Sequence, residues 1–264
     1  MPHVRTERCD GGYTIVWLQR EPVNTMDLPF WRELSAALAA AEANPAVRGL
    51  IFASALKRSV FTAGNDIKEL YAPRTSFDRY RKFWVESNQF LARLYRSPLV
   101  TLCAIRGACP AGGCCLSLCC DLRLMADGPG HIGLNEVAIG ISVPLYWARL
   151  MARVIGQSAA ERLCQFASLV GPQEAKELGL VDRLVPEAEL LPAAESAMRS
   201  ALALPDSGRA LVKERLRGEF SREWEAYPAE EAVGAWQQLE DPATVKMLGA
   251  VLARLSGSSK RAKL

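Results

Sequence analysis

Apolar and polar residues fall into short blocks along the first half of the chain, and the block lengths predict alternating strands and helices. Residues 13–19, Tyr-Thr-Ile-Val-Trp-Leu-Gln, read as a strand. Asp27 can cap a helix that tolerates Pro29 in its first turn, and Trp31, Leu34, Leu38 and Ala41 then recur at helical spacing. Asn44-Pro45 stops that helix. Residues 47–54 and 98–105 are continuous apolar runs, as expected of strands covered on both faces, and 121–126 reads as another strand. A longer helix is predicted over 76–96, with Tyr80, Trp84, Leu91 and Leu94 along one side.

The second half reads as mostly helical. Residues 144–155 and 158–167 are amphipathic, and 174–186 reads as a helix end, a stop at Gly179 and a short strand. Helices follow near 187–204, 207–217, 229–239 and 242–255. The pattern is that of an α/β protein, with a core over 1–185, a helical region over 186–255 and a polar, basic tail over 256–264 that reads as flexible.

Composition narrows the function without naming it. Of the 264 residues, 50% are apolar, enough for a sizeable core. A net charge of +3, from 32 Lys and Arg against 29 Asp and Glu, is too mild and too mixed to argue for nucleic acid. No apolar run approaches the ~20 residues of a membrane span. The start of the chain carries Glu7 and Asp10 and lacks the apolar segment of a secretory leader. The eight cysteines are therefore expected as reduced thiols rather than as a disulfide scaffold.

Five of those cysteines lie in Gly107-Ala-Cys-Pro-Ala-Gly-Gly-Cys-Cys-Leu-Ser-Leu-Cys-Cys-Asp121. Zinc sites usually space Cys-x2-Cys pairs around a long loop, whereas these sit among Leu116 and Leu118 with His131 as the one nearby histidine. Buried packing thiols fit that context better, and no metal is expected. Two glycine-containing turns follow apolar strands, Thr62-Ala63-Gly64-Asn65-Asp66 and Ala111-Gly112-Gly113. Each can aim backbone N–H groups at a ligand, and two such donors converging make an oxyanion hole, although ordinary close packing explains either turn alone. Glu136 stands between Leu134 and Val137, with Ile139 and Ile141 beyond. An apolar setting raises a carboxylate's pKa and suits a general base; a solvated loop carboxylate or a buried ion pair is the plainer alternative.

In order and spacing, Phe61-Thr-Ala-Gly-Asn-Asp-Ile-Lys-Glu-Leu70, the glycine and cysteine stretch, Gly133-Leu-Asn-Glu-Val-Ala-Ile-Gly-Ile141 and residues 174–186 resemble the enoyl-CoA hydratase/isomerase (crotonase) superfamily over about residues 12–255. The resemblance implies a crotonase-like spiral of ββα units and a C-terminal helical region that packs at a trimer interface, in a homotrimer or a dimer of trimers. It implies acyl-CoA thioesters as substrates, held by the backbone N–H groups of Ala63 and Gly112, with CoA along Ala63, Gly64, Asn65, Asp66 and Ile67. In the family's hydratases a glutamate lies two positions after the last glycine of the second turn, and another about twenty residues later. Cys115 stands at the first position and Glu136 at the second.

One carboxylate in place of two implies a double-bond shift in the manner of the Δ3,Δ2-enoyl-CoA isomerases: Glu136 takes a proton from C2 and returns it to C4. Asn135 would orient that carboxylate or line the thioester site, and Tyr146 and Trp147 would line the acyl pocket. No cofactor is implied, CoA being part of the substrate. Residual hydratase activity, thioester hydrolysis, a nucleophilic Cys115 and a non-catalytic CoA-binding scaffold stay open as alternatives. Ala262-Lys263-Leu264 resembles the Ser-Lys-Leu peroxisomal address, so a peroxisomal import receptor is an expected partner and the peroxisome the expected location, with the mitochondrial matrix as the alternative.

Overall fold

The computed structural model describes residues 2–261. Its centre is a six-stranded sheet in the order β1-β2-β3-β4-β6-β8. These strands are β1 (Val4–Cys9), β2 (Tyr13–Leu18), β3 (Gly49–Ser54), β4 (Val100–Ile105), β6 (Leu122–Ala126) and β8 (Arg183–Val185). β1 runs antiparallel to β2, and every other pair is parallel. β5 (Cys109–Pro110) and β7 (Ile132–Gly133) form a separate parallel pair beside it.

Both faces of the central strands are covered, which explains their continuous apolar sequence. Neighbouring residues point to opposite faces. Leu50, Phe52, Cys103 and Ile105 pack in one cluster with α1 (Leu28–Ala43), α2 (Phe77–Arg96) and α3 (Gly112–Cys119). Ile51, Ala53, Leu102 and Ala104 pack with Leu190, Ala194, Met198 and Leu202 of α7 (Leu190–Leu202). Asp27 caps α1 as expected, its Oδ1 accepting from the Phe30 amide at 3.0 Å.

The remaining helices are α4 (Leu145–Ile155), α5 (Gln157–Gln165), α6 (Pro172–Leu178), α8 (Asp206–Ala226), α9 (Pro228–Glu240) and α10 (Pro242–Arg261). Three elements depart from the sequence reading. β1 was not expected; its middle residues are exposed and polar, so no apolar pattern announces it. α8 runs to Ala226 rather than ending near 217, held by buried Phe220, Ser221 and Trp224. α10 continues to Arg261, past the boundary placed at 255. Ala262, Lys263 and Leu264 lie outside the described residues.

Candidate active site

The Thr62–Asp66 turn is fixed from below. Thr62 Oγ1 donates to the Asn24 carbonyl at 2.6 Å and accepts from the Gly64 amide at 3.0 Å. Gly64 has φ +84°, and a Cβ there would meet Ala111 Cβ and the Pro110 carbonyl at 3.2 Å. Glycine lets this turn lie directly against the second one.

That packing decides which amides are free. The Ala63 N–H donates to the Val23 carbonyl at 2.9 Å, so it is not available as an oxyanion donor, contrary to the sequence expectation. Asn65 is bridged to Met26 through its neighbours: Met26 N–H donates to the Gly64 carbonyl and Asp66 N–H to the Met26 carbonyl. The Asn65 N–H itself has no acceptor among the described residues. In the second turn, Ala111 N–H donates to the Gly133 carbonyl at 2.8 Å, and α3 begins at Gly112, whose amide likewise has no acceptor among the described residues. Ala111 takes φ +51°, ψ −123°, a backbone that costs a non-glycine residue of order 1–3 kcal/mol. The first turn thus offers the Asn65 amide, and the second offers the amides that open α3, Gly112 first.

Glu136 opens a 3-10 turn, Glu136–Ile139, closed by Gly140 at φ +80°. The residue is 6% exposed and neither carboxylate oxygen has a hydrogen-bond partner among the described residues. Burial pushes its pKa up to about 7. The segment that follows it is tied to the C-terminal helices at three points. Thr244 Oγ1 donates to the Gly140 carbonyl at 3.3 Å, Gln238 Oε1 accepts from Ser142 N–H and Oγ, and Glu231 Oε1 accepts from Leu145 N–H at 2.8 Å.

These pieces enclose a cavity of about 250 Å³. Ala63, Asn65, Pro110 and Ala111 line it, together with Asn135 and Glu136. Much of the remaining wall is apolar, including Ile67, Leu70, Tyr80, Trp84, Ile139, Trp147 and Val251. Of the expected oxyanion and binding residues, Gly64, Asp66 and the buried Gly112 do not line it. Gly64 is buried beneath the turn, and Asp66 pairs with Arg20 at 3.4 Å and caps Lys68. Trp147 lines the cavity, donating to Asn88 Oδ1 and stacking on Trp84 at 5.8 Å. Tyr146, expected beside it, does not: its ring stacks on Trp224 and meets Phe220 and Tyr227 in the core.

Sequence reasoning missed Glu231 and Gln238, which reach the cavity from α9, and assigned Tyr80 and Trp84 only to a helix face. The Tyr80–Trp84 spacing was the available signal; nothing local marks Glu231 or Gln238. Cys115 is fully buried and off the cavity, and burial with its neighbour Cys119 raises its thiol far above the ordinary range, which removes the nucleophilic reading. All eight cysteines are free, and no three His, Cys, Asp or Glu side chains converge as a metal site requires among the described residues.

Two glycine turns that face each other beside a parallel sheet, with free amides and a buried, unpartnered carboxylate, form an arrangement that can hold a developing oxyanion beside a base. The chain belongs to the enoyl-CoA hydratase/isomerase family, whose sequence profile matches residues 10–242. It is 38% identical over 208 residues to enoyl-CoA delta isomerase 1, mitochondrial, of Mus musculus, covering 78% of this chain and 71% of that one. Against the Homo sapiens protein of the same name the identity is 39% over 208 residues, covering 78% and 68%. The crystal structure of human mitochondrial delta3-delta2-enoyl-CoA isomerase superposes with a TM-score of 0.92 at 34% identity, covering 97% of this chain and 99% of that chain. An enoyl-CoA hydratase from Bacillus halodurans shares the fold at a TM-score of 0.85 and 23% identity.

Proposed function

We propose that this protein is a Δ3,Δ2-enoyl-CoA isomerase of fatty-acid oxidation, moving the double bond of a 3-enoyl-CoA to give the trans-2-enoyl-CoA. One observation carries the reading: the cavity holds a single uncommitted carboxylate. Glu231 also lines it, but its oxygens accept from Trp84 Nε1 and Leu145 N–H, whereas both oxygens of Glu136 are free. Hydration needs two acid/base groups around a water. A double-bond shift needs one, because the proton taken from C2 is the proton returned to C4.

The thioester oxygen sits between the Asn65 and Gly112 amides. Glu136 removes the C2 proton, the electron pair moves through the conjugated system onto that oxygen, and the dienolate collapses as protonated Glu136 delivers the proton to C4. One such donor contributes ~2.7–4 kcal/mol to the step. Asn135, on the cavity wall next to Glu136, contacts the same acyl unit. The reaction requires no metal or redox cofactor; CoA is the handle of the substrate. Incubating the purified protein with 3-enoyl-CoA and, separately, with 2-enoyl-CoA tests this: isomerisation without hydration supports it, and hydration as the faster reaction overturns it.

Assembly as a homotrimer or a dimer of trimers is supported by exposed apolar side chains such as Phe166, Leu211, Val212 and Leu216, and light scattering on the purified protein measures it. For location, the mitochondrial mouse and human relatives support the mitochondrial alternative over the peroxisomal expectation. Imaging the full chain with and without Ala262–Leu264 decides between the two addresses: an import receptor that reads the tripeptide makes location depend on it.

A further inference from the structure

Asn65 carries a side-chain carboxamide on the cavity wall as well as its free backbone N–H. Its side-chain Oδ1 accepts from Trp31 Nε1 at 3.2 Å. An indole N–H can only donate, so the two ends of the carboxamide are assigned: oxygen to Trp31, nitrogen away from it. Nδ2 carries two protons and has no acceptor among the described residues, yet it is not sealed off as the oxygens of Glu136 are. Asn65 itself lines the cavity. The carboxamide also lies against Gly112: a Cβ on Gly112 would stand 2.9 Å from Asn65 Oδ1 and 3.3 Å from Asn65 Cγ. The side chain therefore packs against Gly112, with its oxygen nearest.

We propose that Asn65 Nδ2 is a third donor to the thioester oxygen, making the Asn65 side chain a catalytic group in addition to its backbone amide. The proposal rests on the isomerase reading above. A neutral carbonyl is well served by two donors. The dienolate carries a full negative charge on the same oxygen in a cavity with a largely apolar wall, and a third N–H strengthens as that charge develops. The gain falls on kcat rather than on substrate binding. The Trp31 bond fixes the carboxamide before substrate arrives, so the donor is preorganised.

Two substitutions separate this role from a structural one, because both keep the backbone N–H. Asn65→Ala removes Oδ1 and Nδ2 together. Asn65→Asp keeps an oxygen for Trp31 and puts an acceptor where the donor was. If the side chain only braces Trp31, Asp rescues and Ala does not. If it donates to the enolate, Ala lowers kcat by about 10²-fold with KM held within about threefold, and Asp is worse than Ala.

Enolisation of a bound 3-ketoacyl-CoA, followed by the near-ultraviolet absorbance of the enolate, supplies a readout without turnover. It should be strong in the wild type, weak in Ala and absent in Asp. Wild-type kcat in either variant, or an effect confined to KM, overturns the proposal. A wild type that fails to isomerise, or a Glu136→Gln variant that still does, instead overturns the isomerase reading on which it stands.

Discussion

The γ-methyl of Thr62 lies against the α-carbon of Gly113: a Cβ added to Gly113 would fall 2.3 Å from Thr62 Cγ2. Thr62 is fully buried and cannot swing aside, because its hydroxyl is held by both the Asn24 carbonyl and the Gly64 amide. One side chain thus sets the spacing of the two turns that carry the free amides.

Gly113→Ala should therefore lose stability, by about 1–3 kcal/mol for overpacking a closed site, and lose kcat as α3 is pushed off Thr62. Thr62→Ser removes only the methyl. In the Gly113→Ala/Thr62→Ser pair most of both losses should return, helped by the ~1 kcal/mol that alanine gains over glycine inside a helix. Denaturant unfolding and initial rates on the four proteins of the cycle measure the coupling. Additive effects would mean that the turns are spaced by something else.

Glu136 makes opposite demands on activity and on stability. As a base it must be ionised, so kcat/KM should rise with pH through about 7 and level off above it. For stability, its folded pKa stands above the ordinary value of 4.5, so the folded protein binds the proton more tightly than the unfolded chain. The contribution of Glu136 to stability is then most favourable below pH 4.5 and is lost as pH rises towards and through 7. A shift from 4.5 to about 7 corresponds to roughly 3 kcal/mol at full ionisation. Glu136→Gln should abolish isomerisation, by ~10²–10⁴-fold, while unfolding later than wild type at pH 8 and with little advantage at pH 5. A variant less stable than wild type at pH 8 contradicts the buried, unpartnered carboxylate.

Cys115→Ala should leave kcat within about twofold, since the sulfur is off the cavity, and cost about 1–3 kcal/mol through the space left in α3's packing. Rates and chemical denaturation on the same preparation test both halves. Loss of turnover with an unchanged unfolding curve would return the thiol to the chemistry.

The chemistry-bearing segments were legible because each is short and local: two glycine turns after apolar strands, and a glutamate among apolar neighbours. Which amide in the first turn is free was not legible. That depends on Val23 and Met26, a separate segment that consumes the Ala63 N–H and leaves Asn65's open. Tyr146 and Trp147 show the same limit on a helix. Adjacent residues diverge by about 100° around the axis, so only one can face the cavity, and the packing of Trp224 and Phe220 against α4 selects Trp147. β1 escaped notice because an exposed edge strand needs no apolar alternation.

α9 supplies one wall of the cavity, through Glu231, Ala235, Gln238 and Leu239. Pro144 precedes α4 and has no side chain to cap it; Glu231 provides the cap instead, from a helix far away in sequence, and its other oxygen takes the Trp84 indole N–H. The carboxylate therefore joins the end of the Glu136 segment to α2 and α9. Burial raises its pKa, so protonation comes earlier than for a surface glutamate. Glu231→Ala should cost about 1–2 kcal/mol, as loss of a helix cap does, and should lower kcat several-fold with a smaller change in KM, because the segment after Glu136 loses one of its three ties. Gln238→Ala removes a tie that solvent can replace, since Gln238 is exposed, and should do less on both counts. Thermal unfolding and steady-state kinetics give the ranking, and equal effects from the two variants would mean that burial of the Glu231 cap contributes nothing to holding the base.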